Sequence, residues 1–345
     1  FVVAGGQLAN GIVNLSQLTA TTGAISATIE GTLGFAKATP GTLTLSGANT
    51  FTGGVAISAG TLQLGSTDAL GANLVTVTGG TLNLGQQAIA NAIVLDAGTL
   101  ANGTLALGQL TANAGTVSAV LTGTGGFVRN GSGVLTLAGT NTFTGGVTVT
   151  AGTLAAGSTG AFGANAVTVN GGILDLGQQT LANNITIAGG ELTGGSFDVA
   201  NLTAKSGTIS ALLVGSNVLT KSATGVLTLS GANTLAGGIS VAANSGLNVN
   251  SAGALGTGTL SLGAGSAVLG FTTTLDNTTI NPVVVSSNPA QTWAGDFTFT
   301  GTRNLNLGTG AVTLSGNRIL TVGGTPITYT GDAGILTVGG GIAGT

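Results

Sequence analysis

The chain has no cysteine, no histidine and no methionine. Without cysteine there is neither a disulfide framework nor a thiolate site, and without histidine the usual catalytic triads and most zinc sites are excluded. Charge is equally scarce: 6 Lys and Arg against 9 Asp and Glu in 345 residues, for a formal net charge of −3. That excludes a basic footprint for nucleic acid and a polybasic patch for anionic lipid. Gly, Thr, Ser or Asn interrupts every apolar stretch well short of the roughly 18 residues a transmembrane helix needs, so no transmembrane segment is expected. The chain opens at Phe1 rather than at a methionine. That start reads as a processed product or a fragment, with no signal peptide left.

Glycine is abundant, at 65 residues, and 42% of the chain is hydrophobic. Because the apolar residues are patterned, the composition argues for a folded core and not for a disordered linker. The pattern is a repeat. "GTLTLSGANTFTGGVAI" at Gly41 returns as "GVLTLAGTNTFTGGVTV" at Gly133 and "GVLTLSGANTLAGGISV" at Gly225, 92 residues apart each time. "FVVAGGQLANG" at Phe1 aligns in the same way with "IVLDAGTLANG" at Ile93 and "ITIAGGELTGG" at Ile185.

Each repeat divides again. A Gly-x-aliphatic step occurs at Gly41, Gly60, Gly80, Gly98, Gly115 and Gly133, with gaps of 19, 20, 18, 17 and 18, and the same unequal gaps follow from Gly133 to Gly225. Polar residues flank the aliphatic position, which is the period-two signature of a half-buried strand. One such unit cannot bury its own apolar face, whereas stacked units bury it together. The expected fold is therefore all-β, a parallel β-solenoid of about eighteen coils of 17–20 residues, built from a 92-residue five-coil duplication. A β-sandwich is the alternative, but it does not require one aliphatic column at duplicated spacings. The core column is expected to include Leu43, Leu62, Leu82, Leu100, Leu135, Leu154, Leu174, Leu192 and Leu227. Regular coils are expected over residues 1–270, with a partial repeat in 1–40 and repeats starting at 41, 133 and 225.

The recurring phrase resembles the autotransporter-associated β-strand repeat. Its basic lead residue corresponds to Lys37, Arg129 and Lys221, and its aromatic position to Phe51, Phe143 and Leu235. The resemblance implies a right-handed β-helix in a bacterial surface or secreted protein, and it implies no activity.

Residues with catalytic potential are few. The best carboxylate pair is Asp175 and Glu191, on successive coils, but Asn83 and Thr99 stand at the equivalent places one repeat earlier, so the pair reads as chance surface carboxylates. No catalytic, cofactor or metal residues are expected, and the chain is not expected to be an enzyme. Lys37, Arg129 and Lys221 lie five coils apart, roughly 24 Å, and read as solvated or turn-pairing side chains. Asn49, Asn141 and Asn233 read as turn caps. The threonines at 42, 61, 81, 99 and 116 make one outward column of the kind that binds ice, but the neighbouring positions Thr44, Gln63, Asn83, Ala101 and Ser118 do not make the second.

Residues 271–345 blur the repeat and hold Pro282, Pro289, Pro326, Trp293 and Tyr329, with Phe271, Phe297 and Phe299 around them. They are expected to form divergent coils with a cap or an assembly contact, the aromatics serving as core filler. The leading expectation for function is an extracellular structural subunit that self-assembles head to tail into a filament, sheath or matrix. Its contacts would be Phe1, Val2, Val3, Ile342, Ala343, Gly344 and Thr345. The alternative is an autotransporter-type passenger stalk or adhesin that presents or binds carbohydrate, with a polysaccharide-active enzyme or an ice-binding protein behind it. Either leading reading places the chain outside the cell or on its surface, with cell-surface polysaccharide as a further partner.

Overall fold

A computed structural model describes residues 2–264, 273–323 and 334–344. Phe1, Phe271, Pro326, Tyr329 and Thr345 lie outside the described residues. The fold is an all-β parallel β-solenoid of about fifteen turns. Its short strands pair with strands of the next turn in parallel register, and the helical residues among those described are three one-turn 3-10 segments, Leu15–Gln17, Leu107–Gln109 and Val199–Asn201. The coil count falls below the expected eighteen because the later coils are longer. Leu247 pairs with Leu275, Leu275 with Phe299 and Phe299 with Val322, which are spans of 28, 24 and 23 residues.

Contacts divide the chain into two units, residues 1–165 and 166–345. In the first, Leu43, Leu62, Leu82, Leu100 and Val117 pair in succession, giving coils of 19, 20, 18 and 17 residues. All five are fully buried. Their flanking Thr, Gln and Asn residues face outward because successive side chains alternate across a strand. Each buried leucine contributes roughly 1.5–3 kcal/mol. In the second unit Leu174 pairs with Leu192 and Leu192 with Ile209.

The column is not continuous from block to block. Where a new block begins, the register steps by two residues: Gly23 pairs with Leu43, Gly115 with Leu135, and Gly207 with Leu227. Ile25, Val117 and Ile209 pair instead with Leu45, Leu137 and Leu229. The strands Thr42–Leu45, Val134–Leu137 and Val226–Leu229 each turn two leucines inward, so the phrase "LTL" supplies one more core residue than the preceding coil. The glycine of the preceding coil lies opposite that extra leucine.

The corner before the next strand requires a left-handed residue. Gly60 has φ 66, Gly152 φ 61 and Asn244 φ 64, at the same place in successive repeats. Asparagine tolerates this region better than most side chains. A Cβ on Gly60 would come 2.2 Å from the Thr39 carbonyl oxygen.

In the second unit Trp293, Phe297 and Phe299 are buried core residues, Trp293 meeting Phe297 edge-on at 5.1 Å. Of the residues expected at assembly contacts, Val2 and Ile342 are exposed and Val3 is buried, while Ala343 and Gly344 are exposed.

Candidate functional site

The most unusual side chains are the three basic residues that begin each block. Lys37, Arg129 and Lys221 end the strands Phe35–Lys37, Phe127–Arg129 and Leu219–Lys221. Far from being solvated, each is 0% exposed. Strand alternation explains this: the aromatic or aliphatic residue two places earlier points inward, and so does the cation. The head groups are held by the backbone of the loop that follows. Lys37 Nζ donates to the Thr39 carbonyl and to Thr39 Oγ1, the latter at 3.4 Å. Lys221 Nζ donates to the Ala223 carbonyl. Arg129 Nη2 donates to the Gly133 carbonyl and Nε to the Thr153 carbonyl at 3.2 Å, while Nη1 is buried without a partner. No carboxylate is among these partners. Burial alone acts on the charge, and it lowers the pKa of all three below the ordinary value.

The asparagines expected as turn caps reach further than a cap. Asn49 Oδ1 accepts from Ile29 N at 2.8 Å in the preceding coil, and Nδ2 donates to the Ala69 carbonyl at 2.6 Å in the following one. Asn141 does the same between Leu121 N and the Ala161 carbonyl, and Asn233 between Leu213 N and the Ala254 carbonyl. Each side chain staples three coils.

The remaining candidates do not converge. Asp175 pairs in register with Thr193, whereas Glu191 pairs with Ile173, so the two carboxylates are offset along the strand. Asp175 accepts locally from Gly177 N at 2.9 Å, and Glu191 accepts from Ser210 Oγ of the next coil at 2.6 Å. Among the described residues no cluster of His, Cys, Asp or Glu could hold a metal ion. Thr42, Thr61, Thr81, Thr99 and Thr116 do stack in register, but the second column reads Thr44, Gln63, Asn83 and Ala101. A surface groove of about 610 Å³ runs past Asn49, Asp68, Asn73, Leu74 and Asn91. Its amides are already committed: Asn73 Nδ2 donates to the Phe51 and Leu70 carbonyls, and Asn91 Nδ2 to those of Gly71 and Asn73.

A parallel solenoid whose polar side chains are spent on its own neighbouring coils defines a repeat scaffold. The chain carries three copies of the passenger-associated-transport-repeat, matched over residues 37–64, 127–156 and 219–243, each spanning the buried cation, the register step and the asparagine staple. It is 38% identical over 162 residues to "Adhesin BmaC autotransporter" of Brucella suis biovar 1 (strain 1330). The match covers 45% of this chain and 4% of that protein, so the chain corresponds to a small part of the relative's length. No solved structure matches the chain significantly. The chain is a cell-surface or extracellular protein, and its repeat is that of autotransporter passengers and not of an enzyme class.

Proposed function

We propose that this chain is a stalk segment of an autotransporter-type adhesin passenger, a scaffold that sets the distance and order of other parts of a surface protein. The observation that carries the reading is the coincidence of the three repeat matches with the three self-satisfied block starts, supported by the similarity to an autotransporter adhesin. Filament assembly through the chain ends was the leading expectation from the sequence, and the comparisons favour the passenger instead.

The test is an in-frame deletion of one block, residues 133–224, in the intact surface protein. A stalk segment leaves display and adhesion in place and brings the distal part closer to the cell by five coils, roughly 24 Å. Loss of adhesion with display preserved would assign binding to this segment and overturn the stalk reading.

A further inference from the structure

The block starts share one more feature. On the face that carries the cation, the sheet is interrupted there. The strand Leu110–Ala112 pairs with the strand Ile93–Leu95 of the preceding coil, and Phe127–Arg129 pairs with Val147–Val149 of the following one. Among the described residues no backbone pairing joins Leu110–Ala112 to Phe127–Arg129. The same break separates Thr19–Ile25 from Phe35–Lys37 and, in the second unit, Leu202–Ile209 from Leu219–Lys221. In the first unit each break is an open slot. One of about 210 Å³ is lined by Thr111, Asn113, Val128 and Asn130, and one of about 260 Å³ by Leu18, Thr21, Ala36 and Thr39.

The local cause is visible. A 3-10 turn precedes each break, and its carbonyl takes the amide of the residue that follows it, at or just before the next strand: Leu15 O accepts from Leu18 N, Leu107 O from Leu110 N and Val199 O from Leu202 N. Alternation of amide direction leaves further groups facing the slot. Phe127 N donates forward to the Gly146 carbonyl at 2.9 Å, so the Val128 and Asn130 amides point back toward Leu110–Ala112. The other faces of the joint stay closed. Gly115–Val117 pairs with Val134–Leu137 through the stepped register. Opposite the slot, Thr142 N donates to the Leu121 carbonyl at 2.9 Å, Thr144 N to that of Gly123 at 2.9 Å, and Asn141 adds its staple.

We propose that each block joint is a hinge, fixed on its stapled faces and free to open and close at the slot, so that the solenoid yields at five-coil intervals. A pair of stacked coils zipped on every face resists such a motion with a full ladder of hydrogen bonds. At the joint the third face keeps single backbone bonds in place of a strand ladder, and among the described residues only the slot face has none, which gives the motion an axis. The inference does not depend on what the surface protein adheres to.

Hydrogen exchange on the full chain is the first test. The amides of Val128 and Asn130 are expected to exchange at least about a hundredfold faster than that of Thr150, which donates to the Arg129 carbonyl at 2.8 Å. Equal protection would mean that the slot is closed in solution, and would overturn the hinge. The second test uses the absence of native cysteine. Thr111 and Val128 are exposed on the two edges of the slot, and Val128 also pairs in register with Thr148 on the zipped side. With Thr111→Cys/Val128→Cys, a disulfide forms only when the edges close to a Cβ separation of about 3.5–4.5 Å. Mild oxidation is expected to link this pair, about tenfold or more slower than the Val128→Cys/Thr148→Cys control, and the link is expected to slow exchange at Asn130. A control that links beside a slot pair that never does would identify a rigid opening and overturn the proposal. Thr203→Cys/Thr220→Cys, across the break in the second unit, repeats the test should the first variant fail to fold.

Discussion

Leu135 pairs in register with Gly115 of the preceding coil, and both leucines of its strand, Leu135 and Leu137, are completely buried. The glycine itself is fixed by its own backbone and by the coil before it. Gly115 has φ +107, and a Cβ would come 2.5 Å from the Gly98 carbonyl oxygen. Gly115→Ala is expected to cost more than about 2 kcal/mol. Gly108→Ala, in the 3-10 turn with nothing within 4 Å of the added methyl, is expected to stay within about 0.5 kcal/mol. Urea unfolding of the two variants checks the contrast, and equal costs would show that the backbone at Gly115 gives way to a side chain.

Asn141 satisfies one amide and one carbonyl on different coils. Asn141→Ala orphans both inside the solenoid, so a loss of about 2–4 kcal/mol is expected. Exchange should rise first at Leu121, whose amide it caps. A variant with wild-type stability would show that water replaces the staple.

Arg129 occupies the place that lysine fills in the other two blocks, and it leaves Nη1 unpartnered. Arg129→Lys removes that orphan and gives up the Nε bond to Thr153, so stability is expected to change by less than about 1 kcal/mol. Arg129→Glu sets a buried carboxylate against carbonyl oxygens, and a loss of about 3–5 kcal/mol is expected. Thermal melts of the pair decide whether the site needs a cation or merely a long side chain.

Burial lowers the pKa of Lys37 and Lys221 in the folded chain, and the unfolded value lies near 10.4. At pH well below the folded pKa both states hold the proton and stability is flat. Between the folded and unfolded values the unfolded chain binds more protons, so stability rises with pH. The urea midpoint is therefore expected to increase as pH rises toward the unfolded value near 10.4, and Lys37→Met/Lys221→Met to flatten the rise. A midpoint that falls over this range in wild type alone would mean that the ammonium–carbonyl bonds outweigh desolvation.

Coil lengths and the inward phase were legible in the sequence because a glycine marks each corner and alternation marks each strand. Leu43, Leu62, Leu82 and Leu100 needed nothing else. The two-residue step was hidden by the same marker. Counting from Gly133 assigns Leu135 to the position of Val117, yet the extra inward leucine of "LTL" shifts the pairing. Lys37, Arg129 and Lys221 pair with the turn, one of the two roles expected of them, and their burial was hidden because their partners are main-chain carbonyls, which leave no acidic residue in the sequence to signal a buried charge. Their strict recurrence at Lys37, Arg129 and Lys221 was the available sign. Asn49, Asn141 and Asn233 were read as local for the same reason, since a staple and a cap use the same amide.

The register step has a genetic consequence. Gly23–Leu43, Gly115–Leu135 and Gly207–Leu227 are the same junction made three times, 92 residues apart. Unequal recombination between the stretches that encode these repeats would add or remove a whole block and rebuild a junction of the same kind at the scar. Coils within a block differ in length, 19, 20, 18, 17 and 18 residues, so an exchange out of phase by one coil lacks such matched stretches. Steps of five coils are therefore the length changes that keep every junction one the fold already makes.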